Sequence, residues 1–564
     1  MVKFIQLFIV VVICGSASSS ASQAAPARYM IAAANPYAAQ AGLDMLARGG
    51  SAVDAAIAAQ MVLNLVEPQS SGLGGGGFML TYDAADGATW AYDGRETAPA
   101  AVTPALFLDG QGAPLKFYDA AIGGRGVGVP GLVAMLEMAH KTHGKLPWAI
   151  LFEPAITLAE KGFSLSPRLH ELIIGARDVG RYETARNYFF TAEGLPKPVG
   201  TTMINRDLAA TLRAIAAHGA AAFYEGEIAA DMVAAIGAPL DNPGLMTLAD
   251  LAGYRAKRRD AVCGAYRQFR VCGMGPPSSG GVTTLQILGL LEGFDLASLA
   301  PGSVEAVHLI SEASRLAYAD RARYLADGDF HPVPVRGLLD RSYLAARSAA
   351  IDLDFSMGQA APGDPPFDDS GLAADGPGNE GLSTSHLAVI DSAGNAVSFT
   401  SSIESAFGSR IMVRGFLLNN QLTDFSFRPE IGGVVVANRV EALKRPRSSM
   451  APTLVFDADG RLKVSIGSPG GSRIIGYVVQ SLVAILDWGL ELRHAIALPH
   501  HVNRNGPIDL EEGTPLEALR PALEALGHEV RIRPLTSGLH GVSVTGPGLA
   551  GGADPRREGV VLGD

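Results

Sequence analysis

The chain has 564 residues, enough for roughly three or four average domains or for one large fold. Hydrophobic residues make up 48% of it and charged residues 18%, which is ordinary globular composition. The formal net charge of -11 gives polyanions such as DNA no electrostatic reason to bind, so no nucleic-acid partner is expected. Beyond position 25, no segment approaches the about 18 consecutive apolar residues that a membrane helix needs.

The first residues have the pattern of a signal peptide. Lys3 supplies the positive start, an apolar run extends from Phe4 to Ile13, and Ser22-Gln23-Ala24 places small residues at a cleavage site. We therefore expect residues 1–24 to be removed and the protein to be secreted or periplasmic. Two alternatives stay open: a short buried helix, disfavoured by the small polar residues that follow, and a lipoprotein anchor at Cys14, disfavoured by the bulky residue before it.

Two helices are predicted at the start of the mature chain. The segment from Ala38 to Ala47 is apolar at helical spacing, and Gly49-Gly50 ends it. Ser51 and Asp54 have the spacing of a capping box for a second helix that runs to about Leu65.

Glycine-rich turns and short strands follow in SSGLGGGGFMLTYDA and WAYDGRETAPAAV, a pattern typical of a sheet. Gly72 to Gly77 satisfies the GxGxxG spacing. A dinucleotide site needs a strand before the glycines and a helix after them, whereas here the order is reversed, so no cofactor is expected. Further helices are predicted within 130–165, 205–237 and 303–327.

Two cysteines remain once the signal peptide is removed. Cys263 and Cys272 lie in AVCGAYRQFRVCG, where two β-type runs face each other if a turn centres on Arg267-Gln268. An oxidising compartment permits a disulfide there, but the geometry of the bond is demanding. A disulfide and two free thiols therefore both stay open.

A change of composition marks the segment 357–383, which is rich in Gly, Pro, Asp and Ala and predicts an exposed, flexible linker. A strand, a turn and a second strand follow directly from Thr384. Further β signals at 411–418, 452–456 and 462–466 precede a helix from about Ser472 to Leu486. Sheets covered by helices predict a layered α/β or α+β fold.

Seven segments match one known family in the family's own order: EPQSSGLGGGGF, DGRETAP, PPSSGG, LSTSHLAVIDSAGNAV, FLLNNQLTDFS, KRPRSSMAPT and GSPGGSRII. From about residue 30 to Pro555 the chain resembles the γ-glutamyltranspeptidases, which are N-terminal nucleophile hydrolases. The resemblance implies an αββα sandwich built jointly by two chains of one precursor. Cleavage between Ser383 and Thr384 is expected to give a large chain, 25–383, and a small catalytic chain, 384–564, which stay together as a heterodimer.

The resemblance makes Thr384 the nucleophile. A hydroxyl is a weak nucleophile that needs a base, and a free α-amino group, with a pKa of about 7.7 to 8.0, supplies one as soon as the preceding peptide bond is cut. Ser402 stands where the family has a Thr that hydrogen-bonds this amine, and Gly470 and Gly471 match the donors of its oxyanion site. His386, two residues further along the strand, is expected to pack rather than to act as a base.

Five residues match the family's site for the donor's amino acid end. Arg95 matches the arginine that binds the α-carboxylate, and its planar fork suits bidentate pairing. Ser448 and Ser449 match hydroxyl donors to the same carboxylate. Asp424 matches the counter-ion of the α-ammonium, with Gln421 beside it.

The chain departs from the family at two places. Glu404 occupies a position where well-known members carry an Asn that contacts the substrate's amino acid end, so a second carboxylate is available to the ammonium. The segment between Ser426 and Lys444 is shorter than the lid of some members and has no Tyr to close the site. Both departures leave open whether transfer or hydrolysis predominates.

The predicted activity is that of a γ-glutamyltransferase and glutathione hydrolase, which passes the γ-glutamyl group of glutathione or a related amide to water, an amino acid or a dipeptide. A cephalosporin or glutaryl acylase of the same superfamily is the alternative enzyme, and a non-catalytic binding protein is the alternative of another class. No metal is expected, because His500 and His501 are adjacent and no HExxH or CxxC accompanies them. They are interpreted as structural or surface histidines.

Overall fold

The computed structural model describes residues 27–367, 373–376, 381, 383–546 and 548–564. Residues 1–24, the predicted signal peptide, lie outside these ranges. Within the ranges, no helix combines the length and the apolar character that crossing a membrane requires.

The strands, numbered along the chain, are β1 (Met30–Ala33), β2 (Gly76–Tyr82), β3 (Thr89–Asp93), β4 (Phe163–Ser164), β5 (Thr202–Met203), β6 (Lys257–Asp260), β7 (Val262–Tyr266), β8 (Phe269–Gly273), β9 (Ser383–Ile390), β10 (Ala396–Glu404), β11 (Met412–Val413), β12 (Phe416–Leu417), β13 (Glu430–Ile431), β14 (Val434–Val435), β15 (Thr453–Phe456), β16 (Leu462–Gly467), β17 (His501–Asn503), β18 (Ile508–Glu511), β19 (Val530–Arg533), β20 (His540–Thr545), β21 (Gly548–Ala553) and β22 (Val560–Gly563).

The α-helices are α1 (Pro36–Ala47), α2 (Ala52–Val66), α3 (Phe117–Ala121), α4 (Leu132–His143), α5 (Glu153–Lys161), α6 (Pro167–Gly175), α7 (Glu183–Phe189), α8 (Arg206–His218), α9 (Ala221–Tyr224), α10 (Gly226–Gly237), α11 (Leu248–Gly253), α12 (Gly280–Leu291), α13 (Val304–Tyr324), α14 (Val335–Leu338), α15 (Arg341–Ser348), α16 (Ile474–Leu486), α17 (Leu492–Ala497) and α18 (Arg520–Ala525).

Two antiparallel sheets form the centre of the molecule. The first has the strand order β22-β1-β9-β10-β2-β3-β6, and the second has the order β21-β20-β16-β15-β8-β7. They pack face to face, and their central strands are also joined by hydrogen bonds: the Ser398 hydroxyl donates to the carbonyl of Ile466 at 2.9 Å. Helices α1 and α2 cover the outer face of the first sheet, and α12 and α16 cover the second. The predicted layered αββα fold is confirmed.

Helix α2 begins where the sequence predicts. The Ser51 side chain accepts a hydrogen bond from the backbone of Asp54, and the Asp54 carboxylate accepts one from the backbone of Ser51, so the capping box is present. The same carboxylate also accepts hydrogen bonds from Lys145 N at 2.9 Å and Leu146 N at 3.0 Å. One residue therefore starts α2 and ties it to the loop after α4.

Two local features resolve or correct the sequence expectations. Cys263 and Cys272 face each other across the β7–β8 hairpin and form a disulfide, with an S–S distance of 2.07 Å. The β signal at 411–418 corresponds to two short paired strands, β11 and β12. The chain turns between them at Arg414 and Gly415, which both have positive φ.

The segment predicted as a linker, 357–383, is described only in part. Its first residues are hydrogen-bonded to α13: Met357 N donates to Glu312 Oε2 at 2.9 Å, and Gly363 N donates to Asp320 Oδ1 at 2.9 Å. Residues 368–372, 377–380 and 382 lie outside the described part of the chain. The flexible character predicted for the whole segment stays a prediction.

Candidate active site

One small cavity collects the residues that the sequence singled out. It lies where the start of β9 and the end of β10, two central strands of the first sheet, meet the loop between β16 and α16. The predicted residues that line it are Arg95, Thr384, Ser402, Glu404, Gln421, Asp424, Ser448, Ser449 and Gly471. Gly470 adjoins the last of these and does not itself line the cavity. Three further lining residues were not predicted: Gly381, Met450 and Ile474.

The chain is uncleaved in this structure, and Ser383 and Thr384 begin β9 opposite the end of β10. Because side chains alternate along a strand, Thr384 shares the face that points toward the second sheet, while Leu387 and Val389 pack against the helices. The Ser402 hydroxyl donates to the carbonyl of Ser383 at 2.9 Å. Its oxygen lies 3.5 Å from Thr384 Oγ1.

The role expected for Ser402 therefore takes a different form before cleavage. The sequence predicted a contact with the free amine of Thr384, but in the uncleaved chain that nitrogen belongs to a peptide bond. The Ser402 hydroxyl instead polarises the carbonyl that must be attacked. A donor placed on a carbonyl oxygen stabilises the negative charge that develops there during attack.

The loop after β16 depends on two glycines with unusual backbone conformations. Gly470 has φ 138° and Gly471 has φ 58°, a region that residues with a Cβ rarely adopt. A Cβ on Gly470 would lie 2.8 Å from the ring of Tyr477. Both the conformation and the space therefore require glycine here.

A buried ion pair lies at the end of the cavity that was assigned to the donor's amino acid group. Arg95 donates to Asp424 Oδ2 at 2.5 Å, and Gln421 Nε2 donates to the same oxygen at 2.6 Å. The Arg95 fork is also held by the carbonyls of Pro446 and Arg447, both at 3.1 Å. The two charges predicted to bind opposite ends of a zwitterion are thus paired with each other in the uncleaved chain.

Glu96 follows Arg95 and is completely buried. Burial raises the pKa of Glu96 to about 8, although the positive charge of Arg95 opposes this shift. Glu96 therefore carries a proton at neutral pH, and Asp424 is the group that balances the charge of Arg95.

Glu404 is buried at the end of β10, just after a bulge, with φ 80°. Its carboxyl group accepts hydrogen bonds from Gly381 N and from the side-chain amide of Asn420. Burial, and then the nearby charge of Asp424, raise the pKa of Glu404 well above its usual range. The side chain of Arg410, from the loop after β10, opposes this shift with its positive charge.

The paired serines are fixed by groups from elsewhere in the chain. Ser449 Oγ accepts a hydrogen bond from Arg321 Nη2 at 2.6 Å, and the carbonyl of Ser448 accepts one from Ser279 Oγ at 2.7 Å. Because Ser449 accepts from the arginine, its own hydrogen is available to a ligand carboxylate.

A charged cluster lies behind Thr384. Arg557 Nη1 donates to the carbonyl of Thr384 at 3.2 Å. The next residue, Ser385, faces the other way and donates to Glu67 Oε2 at 3.1 Å. Burial, and then the charge of Arg168, lower the pKa of Arg557 to about 9. Hydrogen bonds therefore hold β9 on both of its faces next to Thr384.

His386 contacts Thr400, with 2.8 Å between Nδ1 and Oγ1. Burial lowers its pKa well below the usual value, so it is neutral. This agrees with a packing role. His500 and His501 are likewise buried, and His500 Nε2 lies 2.7 Å from Ser537 Oγ.

The residues that sequence reasoning missed had weak signals or none. Met450 directly follows the paired serines, and Ile474 starts the helix after the glycine loop, so their neighbours could have indicated them. Gly381 is only three residues before Thr384, but nothing in its local sequence indicates a contact with the site, whereas Arg321 and Arg557 come from distant parts of the chain and only the fold brings them here.

Known proteins resemble the chain over nearly its whole length. Residues 38–564 match the model of the family described as gamma-glutamyltranspeptidase. The chain is similar to a glutathione hydrolase proenzyme of Bacillus subtilis, at 38% identity over 95% of this chain and 91% of that protein. It is also similar to the crystal structure of a cephalosporin acylase from Bacillus halodurans, with a TM-score of 0.83 and 27% identity over 98% and 99% of the two chains.

A second solved structure is that of Helicobacter pylori gamma-glutamyltranspeptidase, with 37% identity and a TM-score of 0.57 over 60% of this chain and 96% of that one. The family model spans nearly the whole chain, and the relative from Bacillus subtilis is matched over most of its own length. The chain therefore belongs to the gamma-glutamyltranspeptidase family.

Proposed function

We propose that this protein cleaves itself before Thr384 and then transfers the γ-glutamyl group of glutathione and related γ-glutamyl amides to water, an amino acid or a dipeptide. The observation that carries the proposal is the position of Thr384. Its hydroxyl lies beside Ser402, which already polarises the carbonyl of Ser383, and both line a cavity that holds a buried arginine and two carboxyl groups.

Self-cleavage follows from this arrangement. Thr384 Oγ attacks the carbonyl carbon of Ser383, the C–N bond breaks, and the nitrogen takes up the hydroxyl proton, which leaves an ester and a free amine. Water then hydrolyses the ester and gives a carboxylate at Ser383 and the free hydroxyl of Thr384. The products are the proposed chains 25–383 and 384–564.

Turnover of a donor repeats the attack with the new amine as base. The amine takes the proton from Thr384 Oγ as the oxygen attacks the γ-carbonyl, and it passes the proton to the departing amine. The N–H groups of Gly470 and Gly471 are proposed to stabilise the oxyanion. Burial near Arg557 disfavours protonation of the amine and so keeps it available as a base.

Recognition of the donor is assigned to the charged end of the cavity. Arg95, Ser448 and Ser449 are proposed to bind the α-carboxylate, and Asp424 with Gln421 the α-ammonium, with Glu404 as a second acceptor. An acylase for glutaryl or cephalosporin substrates, the alternative enzyme, acts on a donor without the ammonium. The retained Asp424 and the added Glu404 therefore favour a γ-glutamyl donor.

The central test replaces the nucleophile. We expect the wild-type protein to give two bands on a denaturing gel, and Thr384→Ala to give one unprocessed band without hydrolase activity. Thr423→Ala, which changes a buried threonine that does not line the cavity, is the control and should be processed. An uncut wild-type chain with full activity would contradict the mechanism.

The substrate class is tested by comparing turnover of a γ-glutamyl anilide with that of its glutaryl analogue, each with and without a dipeptide. A higher kcat/KM for the glutaryl compound would replace the proposed function by the acylase. Rates that do not depend on the dipeptide would identify water as the acceptor.

We propose that residues 1–24 are a signal peptide that directs export of the protein. Amino-terminal sequencing of the large chain from a periplasmic fraction should start at Ala25. A start at Met1 would contradict this proposal.

A further inference from the structure

Glu404 is the point where the chain departs from the family's site, and in the uncleaved protein it contacts the segment that precedes the cleavage position. Its carboxyl group accepts the N–H of Gly381, three residues before Thr384. The side-chain amide of Asn420 donates to the other oxygen of the carboxyl group. Both oxygens therefore accept a hydrogen bond, one from Gly381 and one from Asn420.

The close approach depends on the glycine. A Cβ on Gly381 would lie 2.6 Å from Glu404 Oε1 and 3.0 Å from the Cα of Ser405. Any residue with a side chain would push the segment away from the carboxyl group. The contact thus uses the smallest residue in the precursor segment and a residue type that differs from the family's Asn.

The same residue also reaches the scissile bond through its backbone. Glu404 N donates to Ser402 Oγ at 2.9 Å, and this hydroxyl donates to the carbonyl of Ser383 at 2.9 Å. Glu404 also pairs with Ser383 across the bulge between β10 and β9. One residue therefore holds the chain before the bond and orients the hydroxyl on the bond itself.

We propose that Glu404 is a positioning residue for self-cleavage, which holds Gly381 and thereby fixes the Ser383–Thr384 bond beside Ser402. This proposal rests on the proposed function, since it assumes that Thr384 cuts the chain. Removal of Gly381 with the severed segment then frees the same carboxyl oxygen within the donor cavity. The precursor segment and the substrate's amino group thus use the same acceptor in turn.

Besides Gly381, the groups that face this carboxyl come from two elements. Asp424 lies on the turn of residues 421–424 and Arg410 on the loop after β10, and both influence Glu404 electrostatically. Asn420 supplies a neutral amide from the start of that turn. Loss of the hydrogen bond to Gly381 on cleavage removes one interaction that lowers the pKa of Glu404, so a cation in the cavity is then what favours its ionised form.

The test follows cleavage of the full chain made by cell-free translation, sampled over time on denaturing gels. Glu404→Ala and Gly381→Pro each remove one partner of the hydrogen bond, and each should slow cleavage about tenfold or more. The double variant should be no slower than the slower single variant, because both changes remove the same contact. Glu430→Ala, an exposed change on β13, should cleave at the wild-type rate.

Wild-type rates for either single variant would overturn the proposal, and so would a double variant whose slowing is the product of the two single effects. Thr384→Ala separates this failure from that of the proposed function. If Thr384→Ala is still cut, the proposed function itself is wrong. If it stays uncut while Glu404→Ala and Gly381→Pro are cut normally, only the role of Glu404 is wrong.

Discussion

At the scale of single residues, the hydroxyl of Ser402 has two possible partners at successive stages. In the uncleaved chain it donates to the carbonyl of Ser383, and after the proposed cleavage we expect it to contact the amine of Thr384. A hydroxyl suits both tasks because it donates and accepts. Thr would serve equally, which explains in physical terms why Ser can replace the family's Thr here.

Ser402→Ala removes the donor on the scissile carbonyl. We expect self-cleavage to slow by about 100-fold, the typical effect of deleting one oxyanion donor, while Ser402→Thr should restore the rate to within a few fold of wild type. The adjacent Ser401, which donates to Gln60 at 2.6 Å on the other side of the sheet, is the matched control. Densitometry of the uncut chain over time measures all three variants; equal slowing by Ser401→Ala would contradict this role.

Because of the carboxyl group of Glu404, we expect the preference between donor substrates to depend on pH. Its pKa is raised, so it becomes ionised only as the pH rises, and the ionised form favours a donor with an α-ammonium. The ratio of kcat/KM for γ-glutamyl anilide over glutaryl anilide should therefore increase, by about tenfold, as the pH rises above the usual range of a glutamate carboxyl.

Taking the ratio of two substrates on one enzyme cancels the ionisation of the Thr384 amine. In processed Glu404→Gln the side chain cannot ionise, so the ratio should be lower and vary little with pH. A ratio for Glu404→Gln that rises as in the wild type would exclude Glu404 as the titrating group.

At the scale of elements, helix α2 shows that one local motif can also make tertiary contacts. The capping box of Ser51 and Asp54 lies within four residues, so the sequence alone predicts it. The two further hydrogen bonds from Lys145 and Leu146 depend on where the loop after α4 is placed. They make Asp54 an anchor between two helices that cover the first sheet.

Asp54→Ala should lower the free energy of unfolding by about 3 kcal/mol, because it leaves several buried N–H groups without an acceptor. For a chain of this size that corresponds to a fall in Tm of about 3 °C. Asp44→Ala, on the exposed side of α1, is the control and should lower Tm by less than about 1 °C. Equal falls in calorimetry would show that the anchor contributes nothing.

At the scale of the whole molecule, the strands of the two proposed chains are interleaved. In the first sheet β1 of the large chain lies between β22 and β9 of the small chain, and β10 is followed by β2. The second sheet continues from β15 of the small chain to β8 of the large chain. Separating the chains would therefore break both sheets and expose the core between them.

We expect the processed chains to elute together in gel filtration, at the volume of uncut Thr384→Ala, and to separate only in denaturant. Unfolding of the processed protein should show the two chains losing structure in one transition, because each sheet needs both. Elution of a free small chain in native buffer would contradict the interleaved architecture.

Much of the secondary structure could be predicted from local sequence patterns. The helix start at Ser51, the strand after Ser383 and the glycine loop at Gly470 all depend on neighbours within a few residues, so composition and spacing were sufficient. The β signal at 411–418 is confirmed by β11 and β12, but the turn between them was not predicted, because a positive φ at Arg414 leaves no mark as strong as a Pro or an Asn-Gly pair.

Within the site, the sequence by itself determined which residues are present: a threonine after a glycine-rich segment, paired serines, paired glycines and the arginine of DGRETAP. These residues lie in contiguous motifs, so their chemical roles could be predicted without knowledge of the fold. Only the tertiary structure decided that Arg95 pairs with Asp424, that Arg557 contacts the carbonyl of Thr384, and that Glu404 accepts the N–H of Gly381. Such contacts join residues far apart in the chain or across a bulge, and their energies depend on burial and distance that no local pattern records.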